Sequence, residues 1–230
     1  MSDWSGMNRR DFIGRSAAAI AGSMTVSGTA LSYSRIIGAN DRISLGHIGI
    51  GNRGGELDLI ASKLKSSHNV EMSAVCDLWR VNREKAVATN SGYYGRSPRG
   101  VQHAKELLEL KDIDAVLIST PEHSHSPILK MVAEAGKDAY VEKPMGNVLS
   151  EVKSARDAVL QGNRIVQVGT QHRSEPYPTE ANKVVRSGAL GDISKIEIEW
   201  NYHGPRWRGR PEVKLIREQD TDWNAWLINK

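Results

Sequence analysis

The chain has 230 residues and a net charge of +4; 39% of its residues are hydrophobic and 25% are charged. That length holds one domain, or one and a piece of a second, and the composition is that of a globular chain, not a disordered, collagen-like or membrane-bundle one. A single cysteine, Cys76, excludes an intrachain disulfide and any CxxC zinc or redox motif, and a charge balance this even excludes a general nucleic-acid binder.

The first segment reads as an address. Asn8-Arg9-Arg10-Asp11-Phe12-Ile13-Gly14 places twin arginines before a bulky apolar pair. The uncharged stretch Ser16–Leu31 follows, rich in Ala, Gly, Ser and Thr. It is shorter than the ~20 apolar residues a spanning helix needs, so no stable membrane anchor is expected. Gly28 and Ala30 supply the small side chains a signal peptidase accepts. Residues 1–35 resemble a twin-arginine (Tat) export signal, which implies a periplasmic or otherwise exported protein that folds before export.

After Ala39 the pattern alternates. Arg42–Ile50 is an apolar run ending in glycines, and Gly54–Ser66 spaces Leu57, Ile60, Ala61 and Leu64 at a helical period. Val70–Cys76 reads as a buried strand, Arg80–Thr89 as a helix, Ser91–Gly100 as a loop and Val101–Leu110 as a short helix. Ala115–Thr120 is a strand broken by Pro121, and Ser126–Ala135 a helix ended by Gly136. Ala139–Glu142 is a strand stopped by Pro144, and Ser150–Gln161 a helix with Ser150 as its cap. Arg164–Thr170 is a further strand, Thr179–Ser187 a helix ended by Gly188, and Ile193–Trp200 a strand with one solvated face. Strand–helix alternation predicts an α/β fold, a doubly wound parallel sheet over residues 36–188. A boundary near Gly188–Asp192 separates it from a tryptophan-rich segment, 189–230.

Four motifs carry chemistry. Gly49-Ile50-Gly51-Asn52-Arg53-Gly54 is a GxGxxG between a predicted strand and a predicted helix, the context that makes it a dinucleotide site. Gly49 permits the tight turn, Gly51 the approach of a pyrophosphate, and Gly54 close packing of the helix. The pyrophosphate would sit at the helix N-terminus, where N–H groups are unpaired. Asp77 ends the next strand and can accept the adenosine ribose hydroxyls, which favours NAD; Arg80 and Arg83 lie close enough to leave NADP open. Ser119-Thr120-Pro121-Glu122-His123-Ser124-His125 follows the strongest strand, where ligands bind in open α/β sheets. His123 and His125 have no third ligand at a comparable spacing, so no metal is expected. Glu142-Lys143-Pro144 puts a lysine at a strand's carboxyl end, able to hold or protonate a substrate oxygen unless it pairs with Glu142. Gln171-His172-Arg173 ends the following strand; Arg173 either clamps a ligand or pairs with Glu175.

In order, GIGNRG, VCD, STPEHSH, AGKDAYVEKP, VGTQHRSEP and GALGDISKI resemble the Gfo/Idh/MocA oxidoreductase family, and its Tat-exported branch in particular. The resemblance implies a Rossmann domain followed by an α/β domain with a large open antiparallel sheet. It also implies NAD(P)-dependent hydride transfer at a carbinol of a sugar, cyclitol or related polyol, in a homo-oligomeric parent. Carried over, Gly49, Gly51, Asn52, Arg53, Gly54 and Asp77 bind the nucleotide; Thr120, Pro121, His123, His125, Glu142 and Arg173 complete the cofactor set. Lys143 becomes the substrate-binding, catalytic lysine. The family's catalytic histidine lies beyond the point where this series stops, so the resemblance implies that this chain is cut short early in the second domain of its parent, and a chain that can bind NAD without turnover. Glu122 and Ser124 depart from the exported branch's usual loop.

Two alternatives remain. The same family includes NAD-dependent glycoside hydrolases, against which Lys143 leans, and a truncated chain can be a non-catalytic nucleotide-binding module. The basic and aromatic run Tyr202–Arg210 is the one feature that suggests single-stranded nucleic acid; without a broader basic footprint, no nucleic-acid partner is expected.

Overall fold

The structure, a computed structural model, describes residues 42–199 and 216–228. The export signal and the Tyr202–Arg210 run lie outside the described residues.

The strands are β1 (Ile43–Ile48), β2 (Val70–Cys76), β3 (Arg99–Val101), β4 (Ala115–Ile118), β5 (Asp138–Glu142) and β6 (Val166–Gly169). They form one parallel sheet in the order β3-β2-β1-β4-β5-β6. The order reverses between β1 and β4, which opens a crevice at the carboxyl ends of those strands, the place where doubly wound sheets bind ligands. The helices are α1 (Asn52–Lys63), α2 (Lys65–His68), α3 (Arg80–Tyr94), α4 (Ala104–Leu108), α5 (His125–Glu134), α6 (Leu149–Gln161), α7 (Pro176–Arg186) and α8 (Trp223–Trp226).

Two apolar layers cover the sheet. Ile48, Cys76, Val116, Ile118, Ala139 and Val141 meet Leu107 of α4, Leu129 and Val132 of α5 and Ala155 of α6. On the opposite face Leu45, Val70, Met72 and Val75 meet Ala61 of α1 and Ala86 and Tyr94 of α3. The switch of faces within β2 has a local cause. The β1–β2 register slips between Leu45 and Gly46, so Leu45 faces Met72 but Gly46 faces Ala74. Ser73 is the extra residue, a bulge that turns Ala74 and Cys76 to the α4–α5 face and Val75 to the other.

The doubly wound sheet is as expected, with differences in detail. Ser91–Tyr94 continue α3, because Asn90 and Tyr94 extend the buried face of Ala86 at four-residue steps. Gly95, at φ 69°, ends that helix in the left-handed region. Arg99–Val101 is an edge strand where a loop and the start of a helix were expected; it pairs with Ala74–Cys76. α6 begins at Leu149 with Val148 at the cap position, so Ser150 lies inside the first turn. Residues 193–199 form no strand. Strand structure requires a paired ladder, and Ile196 and Ile198 are instead 76% and 90% exposed.

Candidate functional site

The crevice is built by three turns bonded to one another. The Gly49 N–H donates to Cys76 O (2.8 Å), and the Ser119 N–H to Ile48 O (3.0 Å), so the turns after β1, β2 and β4 are held together. Gly49 has φ 85°, and a Cβ there would lie 2.7 Å from the backbone nitrogen of Thr120. A Cβ on Gly54 would lie 2.6 Å from Gly49 O. Glycine at both positions lets α1 begin directly against the β1 turn. Gly51 differs: its Cβ would meet nothing within 4 Å. α1 starts beside it with no side-chain cap, so its first N–H groups face open space, the arrangement that favours an anion.

Beside this turn lies a cavity of about 630 Å³. Gly49, Gly51, Asn52, Asp77, Thr120 and Pro121 all line it, so six of the expected nucleotide residues converge. Asp77 is partly committed. Its Oδ2 accepts the Ile50 N–H (2.8 Å) and the Asn82 amide (3.3 Å), and its Oδ1 the Trp79 N–H (2.9 Å). Since each carboxylate oxygen accepts about two hydrogen bonds, Oδ1 keeps one acceptor position for a ribose hydroxyl rather than the carboxylate taking both. Burial pushes the Asp77 carboxyl above its ordinary value, against those donors and Arg83. Arg83 donates to Asp77 O (2.7 Å), and Arg80 pairs with Glu84 (2.9 Å) and Asp220 (3.5 Å). Both guanidiniums thus have partners within the fold. Trp79 also lines the cavity, and its buried Nε1–H has no acceptor among the described residues. An open glycine, an uncapped helix start and a buried unpaired donor fit a dinucleotide.

Other expected residues have different places. Arg53 and Glu142 bind each other: Arg53 Nε donates to Glu142 Oε1 (2.7 Å), tying the glycine turn to the end of β5. Burial opposes the Arg53 charge, but Glu142 and Glu56 outweigh it and hold the guanidinium above its ordinary value. His125 is 1% exposed, with Nδ1 2.6 Å from Pro144 O and Nε2 2.7 Å from Thr120 O. It stands behind the crevice wall and joins two turns, rather than lining the nicotinamide side. His123 Nε2–H donates to Trp226 O (2.8 Å). Among the described residues no group of His, Cys, Asp or Glu could hold a metal ion.

Glu142 is held by Arg53 and takes only the backbone N–H of Lys143 (3.2 Å); the lysine side chain is exposed at the end of β5, and its ammonium has no partner among the described residues. Glu175 pairs with His172 (2.7 Å), so Arg173 is likewise without an ion pair among the described residues. Neither Lys143 nor Arg173 lines the cavity. Cys76 does, but burial pushes its thiol well up. Since the thiolate is the reactive form, iodoacetamide should label the folded chain at least about tenfold more slowly than the denatured chain, read by mass spectrometry.

A buried polar chain under the site was not anticipated. His47, on β1, is fully buried; its Nδ1 lies 2.6 Å from Asp58 Oδ1 and its Nε2 2.7 Å from Ser119 Oγ. Ser119 Oγ–H donates to Gly49 O (2.6 Å), and the Asn90 amide donates to Asp58 Oδ2 (2.8 Å). The signal for it was a histidine inside an apolar strand.

Residues 43–170 match the family model described as "Oxidoreductase family, NAD-binding Rossmann fold". The chain belongs to the Gfo/Idh/MocA family. Of its relatives, the scyllo-inositol 2-dehydrogenase (NAD(+)) of Bacillus subtilis is 38% identical over 86 residues, 37% of this chain and 25% of that protein. A glycosyl hydrolase family 109 protein of a Shewanella species is 25% identical over 97% of this chain and 51% of its own length. The chain thus spans about half the length of the relatives that match it end to end. Among solved structures, scyllo-inositol dehydrogenase from Lactobacillus casei with bound NAD(H) and scyllo-inositol has the same fold (TM-score 0.59, 23% identity, 66% of this chain, 43% of that one).

Proposed function

We propose that this chain is the NAD-binding part of an exported oxidoreductase that moves hydride at a carbinol of a sugar, cyclitol or related polyol. The carrying observation is the Gly49–Gly54 turn with its open Gly51 and uncapped α1, beside Asp77 in one cavity. When bound, the nicotinamide supplies the hydride chemistry. The α1 N-terminus holds the pyrophosphate, Asp77 the adenosine ribose, and the unpaired Lys143 ammonium holds or protonates a substrate oxygen. Arg53, Glu142 and His125 position these turns. The twin-arginine segment supports Tat export to the periplasm, and the family resemblance supports a homo-oligomeric parent protein.

The test is NAD binding to the full chain by calorimetry. Asp77→Ala removes a charged acceptor, so affinity should fall by about tenfold or more. Acidification has two effects of opposite sign. Burial raises the Asp77 carboxyl, so the folded chain holds that proton more tightly than the unfolded chain. Stability from this group is therefore gained as pH falls through the raised value, and is absent at neutral pH. Nucleotide affinity is lost over the same window, at a pH above the ordinary carboxylate value of about 3.9. Asp77→Asn should flatten both. No NAD binding by the wild-type chain would sink the proposal.

The second reading, an NAD-dependent glycoside hydrolase, is favoured by the family 109 alignment over 97% of the chain. Release of free sugar from a glycoside without net NADH would select it; NADH formation from a free polyol would select the oxidoreductase.

A further inference from the structure

The cavity has an outer wall that the glycine motif does not supply. Residues 216–228 also line it, contributing Ile216, Thr221, Trp223, Ala225, Trp226 and Ile228. Asp77, Leu78 and Trp79 after β2 and Gln102 and His103 after β3 line it too. With the ribose site at Asp77, this is the adenosine half of the crevice; Lys143 and Arg173, which mark the other half, do not line it.

The segment is anchored at several independent points. Asp220 accepts from Arg217 (3.0 Å) and faces Arg80 (3.5 Å). Asp222 caps α8 by accepting the Ala225 N–H (3.0 Å) and lies 3.8 Å from His103. His123 Nε2–H donates to Trp226 O, and the two rings lie 4.6 Å apart at 52°. Ile228 packs on the Ile128–Leu129 core layer. Trp223 Nε1–H donates to Glu218 O (3.2 Å), and its ring meets Trp226 edge-on at 6.2 Å. The segment is therefore fixed by its polar groups at the rim, yet Trp223 and Trp226 keep 42% and 37% of their surface exposed beside an apolar cavity.

We propose that residues 216–228 are the adenine wall of the nucleotide site, with Trp226, braced by His123, packing its indole against the purine of the bound cofactor. This rests on the nucleotide-binding reading above. A planar purine is the part of a dinucleotide that gains most from an aromatic wall, through stacking that does not depend on hydrogen-bond readout. The polar anchors hold the indole in place before the ligand arrives, so little ordering remains to be done on binding.

The test is calorimetric titration of the full chain with NAD, AMP and nicotinamide mononucleotide. Trp226→Ala should weaken NAD and AMP together by roughly five- to a hundredfold and leave the mononucleotide unchanged. Trp226→Phe should recover part of the loss. AMP should also alter tryptophan fluorescence in the wild type, and the change should shrink in Trp226→Ala. Should Trp226→Ala unfold, the double variant Asp220→Ala/Asp222→Ala releases the anchors and should weaken AMP in the same way. Unchanged AMP affinity in a folded variant overturns the inference while leaving NAD binding intact. So does tighter AMP binding, which would make the segment an occupant of the site instead of its wall. A wild-type chain that binds none of the three overturns the nucleotide reading, and the wall with it.

Discussion

Asp58→Ala should cost the folded chain about 3–5 kcal/mol, the usual penalty for removing one partner of a buried charge-bearing pair. Asp58 is 1% exposed and accepts from two sides, His47 on β1 and Asn90 on α3. Its loss strands the His47 Nδ1 and leaves the Asn90 amide with Ala86 O alone (3.0 Å), and buried groups without partners are costlier than the bonds they made are favourable. His47→Leu should cost less than Asp58→Ala, because Ser119 keeps its bond to Gly49 O and Asp58 keeps that from Asn90. The double variant His47→Leu/Asp58→Ala should be more stable than Asp58→Ala, since an apolar pair leaves fewer orphaned groups. Urea unfolding of the four chains gives the coupling directly. A coupling energy near zero would show that the two residues do not act as a unit. The effect should reach the site as well: the chain ends on Gly49 O, in the turn that α1 and Thr120 enclose.

What the sequence discloses and what it hides divide along contact distance. β2, β4 and β5 are legible because buried parallel strands are short continuous apolar runs between breakers. β3 is three residues, Arg99–Val101, at the sheet edge with no buried side chain, so it carries no apolar signal. The end of α3 was obscured by Ser91, Gly92 and two tyrosines, yet Tyr94 is buried and helical, its hydroxyl pushed up to about 12 by burial and by Asp58 and Glu71. The glycine turn and Asp77 are legible because their chemistry needs fixed local spacing. Glu142 and Arg53 stand 89 residues apart; nothing in either motif says that the two bind each other instead of both facing a ligand. His125 reads as a site residue from its motif and is a brace in the fold, because both ring nitrogens face carbonyls of neighbouring turns. The Trp223–Trp226 wall is least legible of all, since its place depends on Arg80, His103 and His123, each about a hundred residues or more away in sequence.

The glycines of the nucleotide turn should separate stability from binding when each is changed to alanine. Gly49→Ala should lose both. Its φ of 85° is unfavourable for alanine, a cost of roughly 1–3 kcal/mol, and the new Cβ would strike the Thr120 backbone at 2.7 Å. Gly54→Ala should lose stability through the other side of the same contact: its Cβ would stand 2.6 Å from Gly49 O, and a carbonyl held by the turn cannot give way as a side chain would. Gly51→Ala should behave differently. No protein atom lies within 4 Å of its Cβ and its φ of −79° suits any residue, so the melting temperature should barely move. The space that methyl enters is the approach to the α1 N-terminus, so NAD affinity should fall by about tenfold or more, roughly 1.4 kcal/mol. Gly55→Ala supplies the control: it too has open space, but it lies inside α1 and outside the turn, and should slightly stabilise the helix, by about 0.5–1 kcal/mol, with NAD binding unchanged. Thermal melts and NAD titrations of the four variants check the whole pattern. Were Gly51→Ala to bind NAD as tightly as wild type, the open space at Gly51 would not be where the pyrophosphate lies, and the α1 N-terminus would lose its assigned role.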